Sequence, residues 1–442
     1  MPNKIKKVAV IGAGTMGAGI AGLCAANGCE VVLLDLKTET AQQGIDKLCG
    51  GRKPVISAEQ ATHIVAGSLE SDLNLLSDCD WICEAVVENL KIKRDLFTRL
   101  EPVRKDGSII STNTSGIPLG EIYADMPARL QQNIAVTHFF NPVHIMKLVE
   151  LVPGTATSGE SIQQIAGFLS GPSGEGLGKG VVHAKDTVNF IGNRIGCFWM
   201  LAGLHKAQGS NLSMETIDAL MSKPIGLPPT GLYGLIDLIG LDVMDFVGKN
   251  LEQNLPANDV GRAYVKLPGT ESAMLAAGQL GRKTGGGFYK MLKADDGSKS
   301  MQVYDLQDRD WRDLQTAELD AAHQDVATLL FTDDAEGRFA WNIMSATFTY
   351  AASLVPEISD DIVNIDRAMK WGFNWTYGPF EMMDLVGATK IVEKLKSQGA
   401  DINGMFKVLD DNNLTHFYQS DTGANDASKY LGLDGKYHPL TV

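Results

Sequence analysis

Apolar and polar positions along the chain fall first into a β-type pattern and then into a helical one. Residues 5–11 (IKKVAVI) make a short apolar run ending at Gly12, and residues 30–34 (EVVLL) make a second ending at Asp35. The small-residue stretch between them, reaching about Asn27-Gly28, has helical length. Further β runs at 80–86 (DWICEAV), 108–112 (SIIST), 133–140 (NIAVTHFF) and 146–152 (MKLVELV) alternate with helical stretches. Leu90, Leu96, Phe97 and Leu100 give residues 88–103 a helical apolar face. The last two runs are joined through Asn141-Pro142. Strands alternating with helices predict a doubly wound sheet that takes its ligand at the strand ends. This domain is expected to end near residue 183.

From Asp186 the texture turns helical through 190–207 (FIGNRIGCFWMLAGLHKA), 213–223 (SMETIDALMSK) and 234–247 (GLIDLIGLDVMDFV), and it closes at Gly281–Lys290 (GRKTGGGFYK). Residues 291–300 are polar enough to read as a linker. The last third then repeats the second. Ile217-Asp-Ala-Leu-Met221 recurs as Ile365-Asp-Arg-Ala-Met369, and Gly234-Leu-Ile-Asp237-Leu-Ile-Gly240 as Phe380-Glu-Met-Met-Asp384-Leu-Val-Gly387. The distances from the isoleucine to the second aspartate, 20 and 19 residues, nearly match. The expected architecture is a doubly wound α/β domain (1–183) followed by two related all-α domains (184–290 and 316–442), with 291–315 as the linker.

Gly12-Ala-Gly14-Thr-Met16-Gly17 opens the first helix directly after the first strand, and this pattern makes residues 1–183 an expected α/β Rossmann-type NAD-binding domain. In this context Gly12 serves the tight turn, Gly14 lets the backbone approach a pyrophosphate, and Gly17 lets the helix pack on the strand. The free N–H groups at the helix start face the anion. Asp35, 18 residues after Gly17, can accept hydrogen bonds from a ribose diol and repels a 2′-phosphate, which favours NAD over NADP, although Lys37 nearby acts the other way.

Charge changes the picture in one respect. The 442 residues carry 39 Lys+Arg against 53 Asp+Glu, a formal charge of −14, and this acidity argues against general nucleic-acid binding. Residues 301–442 hold 11 basic and 23 acidic residues, so the first 300 are close to neutral and an anionic ligand there is not excluded. Val8 to Cys29 is uncharged for 22 residues, a membrane-span length, but six glycines interrupt it and it divides into strand and helix. Lys4, Lys6 and Lys7 lead straight into a strand without the pattern of a signal peptide. All six cysteines precede residue 200 without metal-ligand spacing, so reduced thiols in a cytoplasmic protein, with no metal and no membrane span, are expected.

His138 and Glu150 lie on the two strands joined at Asn141-Pro142, symmetric about position 144. In register they face each other, an imidazole beside a carboxylate and so a general base. Ser115, in Ser111-Thr-Asn-Thr-Ser115-Gly, reads from its surroundings as a turn or helix-cap serine. Asn193, in Asn189-Phe-Ile-Gly-Asn193-Arg, reads as an interface or capping amide.

Together these segments resemble the L-3-hydroxyacyl-CoA dehydrogenase family. The resemblance runs through the glycine turn, Glu84-Ala-Val86-Val87-Glu88-Asn with Lys93 following, Asn113-Thr-Ser115, His138-Phe-Phe-Asn141-Pro, Met146-Lys-Leu-Val-Glu150, Asn193-Arg194 and Gly281-Arg-Lys283-Thr-Gly-Gly-Gly-Phe-Tyr, over about 290 residues. It implies NAD-linked oxidation of the C3 hydroxyl of an acyl-CoA in fatty-acid β-oxidation. It implies His138 as base, Glu150 as its orienting partner, and Ser115 and Asn193 as hydrogen-bonding groups for the substrate. It places NAD on the glycine turn, Met16, Asp35, Val86, Val87, Glu88, Lys93, Ser115 and Asn141, with Lys283 as a further candidate. Lys47, Arg52 and Lys53 are the basic candidates for the CoA phosphates, in a region a few residues shorter than in single-copy relatives.

The doubled helical domain resembles the dehydrogenase part of multifunctional β-oxidation proteins. Its second copy has Glu336-Gly337-Arg338 where the first has Gly192-Asn193-Arg194, so it lacks the asparagine and is expected to be structural, covering a face that single-copy relatives bury by dimerising. A monomer or homodimer follows. An enoyl-CoA hydratase, separate or fused beyond Val442, is the expected partner. Two other functions stay open: a dehydrogenase of another hydroxy acid or CoA ester, and a non-catalytic nucleotide-binding scaffold.

Overall fold

A computed structural model describes residues 4–51, 53–420 and 428–440. The chain divides into two compact units, Met1–Phe190 and Ile191–Val442.

The first unit is built on eight strands: β1 (Lys7–Ile11), β2 (Glu30–Asp35), β3 (Ile64–Ser68), β4 (Trp81–Glu84), β5 (Ile109–Thr112), β6 (Ile134–Phe139), β7 (Leu148–Pro153) and β8 (Gly180–His183). Their order across the sheet is β3-β2-β1-β4-β5-β6-β7-β8. All neighbours are parallel except β6 and β7, which are antiparallel and pair His138 with Glu150. This is the register anticipated from the spacing. β1 and β4 read as continuous apolar runs because both faces are covered, which buries Val8–Ile11 and Trp81–Glu84. Strands β3 (IVAGS) and β8 (GVVH) are additions to the sequence reading. They are short and glycine-bearing, and each rests on a neighbour's ladder more than on its own apolar pattern.

This unit runs past residue 183 because side-chain and backbone bonds hold the next residues to it. The Asp186 carboxylate accepts from the N–H groups of Leu119 (2.7 Å) and Gly120 (2.9 Å), and Asn189 N donates to Ser115 O (3.0 Å). The cysteines are all free thiols, five buried and Cys49 half-buried. Burial pushes Cys29 up to about 11 and Cys79, Cys83 and Cys197 up to about 12. In native protein near pH 8 only Cys49 is expected to react promptly with a disulfide reagent, against all six in denaturant. A second fast thiol in the native protein would contradict this burial.

The second unit holds both helical copies in one body. Its duplication is written in hydrogen bonds. Asp218, on helix Met214–Leu220, accepts from Tyr233 N (2.7 Å), Gly234 N (3.0 Å) and Tyr289 Oη (2.7 Å). Asp366, on helix Ile362–Gly372, accepts from Phe380 N (2.9 Å), Glu381 N (3.0 Å) and Tyr418 Oη (2.8 Å). The second aspartates match as well: Asp237 accepts from Phe288 N and Tyr289 N, and Asp384 from Phe417 N and Tyr418 N. Phe417-Tyr418 therefore repeats Phe288-Tyr289, an echo the two motifs noted above did not include. Burial pushes Asp218 up to about 7 against the downward pull of its hydrogen bonds.

Helix Gly192–Ala207 of the first copy packs on helix Ala335–Ser353 of the second. A Cβ on Gly196 would lie 2.1 Å from the Phe373 ring, so the second copy seats an aromatic side chain where the first has none. The stretch 291–315, expected as a linker, instead carries a three-stranded antiparallel sheet of β9 (Tyr289–Lys293), β10 (Lys299–Asp305) and β11 (Asp310–Asp313). Asp296-Gly297 supplies its first turn, with Gly297 at φ 83°, and Arg312 ties it down through Glu215 at 2.6 and 2.7 Å. Polarity misled the reading, because an exposed hairpin needs few apolar residues. Among the described residues, no helix is long and apolar enough to cross a membrane.

Candidate active site

The glycine turn lies after β1, beside β4, where the strand order reverses and a doubly wound sheet opens a crevice. A Cβ on Gly17 would lie 1.8 Å from the carbonyl oxygen of Gly12, so the helix can close on the turn only through glycine here. Gly14 differs, with nothing within 4 Å of where its Cβ would be. That open side, at the start of helix Thr15–Ala26 with no side chain capping it, fits the room and the N–H donors that a pyrophosphate requires. Asp35 is tied to the same turn, Oδ2 accepting from Ala13 N and Oδ1 from Leu36 N, both at 2.7 Å. Each oxygen has a further acceptor site, which suits a ribose diol. Met16 is half-buried alongside.

The loop after β4 is held by a buried ion pair. Glu84 accepts from Val86 N (2.6 Å), Thr112 Oγ1 (2.6 Å) and Lys93 Nζ (2.8 and 3.0 Å). Lys93 is only 1% exposed, with Glu88 Oε2 at 3.8 Å. Its ammonium therefore shapes residues 84–88 and presents no free charge. Glu88 accepts from the Thr114 hydroxyl, Ser115 N (3.2 Å) and Gly116 N (3.4 Å), which joins this loop to the one after β5. Val86 is half-buried and Val87 exposed between them.

His138 and Glu150 meet where β6 and β7 pair. Nδ1 donates to Oε2 at 2.6 Å, and Glu150 is fully buried. Since a carboxylate only accepts, this bond puts the imidazole proton on Nδ1 and leaves the lone pair on Nε2. The ring is held edge-on between Phe140 (centroids 4.7 Å) and Phe190 (5.7 Å). Such a pair can accept a proton at Nε2 while the buried carboxylate favours the imidazolium that results.

Ser115 is half-buried in the loop between β5 and helix Leu119–Ile122, its carbonyl bonded to Asn189 N, and it caps no helix. Asn141 is exposed in the turn after β6. Lys47 and Lys53 are exposed and make no ion pair among the described residues, and Arg52 lies outside those residues. In the second unit, Asn193 stands in the first turn of helix Gly192–Ala207 and is not its cap, since Ile191 holds that position. Lys283 is paired with Asp242 at 2.5 Å.

Three residues of the site escaped the sequence reading. Asn113 Oδ1 accepts from Phe139 N at 2.8 Å and so joins the β5 loop to the β6–β7 hairpin. Phe190 reaches His138 from a left-handed backbone (φ 50°), and Asn189 before it has φ 59°. Asn189 was the available signal, being a residue that tolerates this conformation.

Comparison with known proteins gives the family. The family model for the 3-hydroxyacyl-CoA dehydrogenase NAD-binding domain matches residues 7–187. The model for the C-terminal domain of the same family matches twice, at 190–291 and 339–419. A probable 3-hydroxyacyl-CoA dehydrogenase of Bacillus subtilis is 35% identical over 96% of this chain and 56% of its own length. A putative fatty acid oxidation complex trifunctional enzyme of Rickettsia felis is 38% identical over 87% of this chain and 54% of its own. The chain thus spans about half the length of these relatives. The crystal structure of 3-hydroxybutyryl-CoA dehydrogenase from Escherichia coli superposes with a TM-score of 0.68 at 25% identity, covering 90% of this chain and 96% of that one.

Proposed function

Because this chain belongs to the 3-hydroxyacyl-CoA dehydrogenase family, with an NAD-binding domain at its start, we propose that it oxidises the 3-hydroxyl of L-3-hydroxyacyl-CoA to the 3-oxo group in fatty-acid β-oxidation. The observation that carries this reading is the His138–Glu150 pair at 2.6 Å, in the same sheet as a turn that fits a pyrophosphate. Bound NAD supplies the two-electron acceptor. His138 Nε2 takes the hydroxyl proton, and Glu150 holds the ring and stabilises its charge. The Ser115 hydroxyl and the Asn193 amide hydrogen-bond the substrate. Asn193 belongs to the second unit, and its role rests on the motif alone.

The glycine turn (Gly12, Gly14, Gly17), Met16 and Asp35 hold the adenosine diphosphate half of the cofactor. Val86, Val87, Glu88, Ser115 and Asn141 border the rest, with Lys93 acting through Glu84 and Glu88. Lys47 and Lys53 are the basic side chains we assign to the CoA phosphates, with Arg52 the third candidate. Free buried thiols fit a reducing, cytoplasmic setting. A hydratase that adds water to a 2-enoyl-CoA would supply the substrate, on the same polypeptide or another.

The test is NADH formation with L-3-hydroxyacyl-CoA substrates from butyryl to palmitoyl length. Turnover of at least one is expected, and NADP should be a far poorer acceptor. No NADH from any of them would overturn the reading and leave a dehydrogenase of another hydroxy acid or CoA ester, or a non-catalytic nucleotide-binding scaffold.

A further inference from the structure

Asn193 stands in the first turn of helix Gly192–Ala207, which the chain enters through two left-handed residues, Asn189 (φ 59°) and Phe190 (φ 50°).

The next residue ties this turn to the second copy. Arg194 is 1% exposed. Its Nε donates to Tyr350 Oη at 2.5 Å, and its Nη2 donates to Asp259 and, at 3.0 Å, to Glu357 Oε1. The Tyr350 hydroxyl in turn donates to Asp259 Oδ1 at 3.1 Å, and that oxygen also accepts from Gly261 N at 2.7 Å. One turn further along the helix, Phe198 stacks on the Tyr350 ring with centroids 4.1 Å apart. Asp259 belongs to the first copy, but Tyr350 and Glu357 come from the second. A buried guanidinium is an expensive way to join two helices, since its desolvation is costly and apolar side chains of equal volume hold as well or better. What the fork adds is direction: two carboxylates and a hydroxyl define the guanidinium plane, and with it the turn that carries Asn193.

We infer that Tyr350 and Glu357 of the second copy are positioning residues for Asn193, acting through Arg194, so that the copy without its own active-site asparagine holds the asparagine of the other. This rests on the proposal that Asn193 hydrogen-bonds the substrate.

A double-mutant cycle on the full chain tests it. Tyr350→Phe removes one oxygen from the cluster and is measured in the native and the Asn193→Ala backgrounds, with kcat and KM for 3-oxoacyl-CoA reduction, the Kd of NADH, and Tm. Asn193→Ala is expected to lower kcat. Tyr350→Phe should lower kcat roughly ten- to a hundredfold with the Kd of NADH unchanged, and should cost nothing more in the Asn193→Ala background. Glu357→Gln, at the outer side of the cluster, repeats the test should Tyr350→Phe fail to fold. Wild-type kcat in both variants, or equal losses in both backgrounds, would overturn the inference and leave the cluster as structural glue. Wild-type kcat in Asn193→Ala would overturn both the inference and the role assigned to Asn193.

Discussion

His138→Gln is expected to lower kcat by ~10²–10⁴-fold, the usual worth of a positioned acid–base group, while NADH binding stays within about twofold of native. Glutamine keeps the approximate volume between Phe140 and Phe190 and can still donate to the buried Glu150 carboxylate. It cannot take a proton at neutral pH. The variant thus removes the basic nitrogen and leaves neither a cavity nor an orphaned buried carboxylate, which would otherwise confuse loss of chemistry with loss of fold. Parallel measurements of kcat and of NADH titration decide the matter. A kcat within tenfold of native, with binding unchanged, would show that the proton goes elsewhere.

The second large effect separates two glycines of one turn. Gly17→Ala places a methyl 1.8 Å from the Gly12 carbonyl oxygen. Both partners are backbone, so no rotamer change relieves the overlap, and the first unit should lose about 3 kcal/mol or more of stability. Gly14→Ala meets nothing in the protein. Its Tm should stay within a degree or two of native, yet NAD affinity should fall at least about tenfold, because the methyl takes room the pyrophosphate needs. Thermal unfolding and NADH titration of the two variants check this together. Full NAD affinity in Gly14→Ala would place the pyrophosphate away from this turn.

Much of the site was legible because its chemistry is tied to backbone periodicity. The strand–turn–helix–strand run with Asp35 at its end is a local pattern, and the equal spacing of His138 and Glu150 about position 144 defines a hairpin register that β6 and β7 adopt. What escaped depends on pairing across the fold. Lys93 and Lys283 carry the charge expected near an anionic cofactor, but only the tertiary structure reveals Glu84 and Asp242 as their partners. Phe190 follows no periodicity, since its direction comes from two left-handed residues. The β9–β11 sheet hid behind its polarity although Asp296-Gly297 marked its turn, and the first unit runs on to Phe190 because Asp186 and Asn189 bond back to it.

The repeated aspartate contacts carry a consequence for how the second unit assembles. Asp218 and Asp366 bind the same set of groups, two helix N–H donors and a tyrosine hydroxyl, with bond lengths alike to within a few tenths of an ångström. During folding either tyrosine, Tyr289 or Tyr418, is a chemically adequate partner for either acid, and crossed pairing is the characteristic error of repeat proteins. Discrimination between right and crossed partners must then come from positions where the copies differ in shape. Gly196, against which Phe373 sits, is such a position, because its recess admits an aromatic ring that a larger side chain would turn away. The recess at Gly196 is thus a point where the shapes of the two copies tell one half of the duplication from the other.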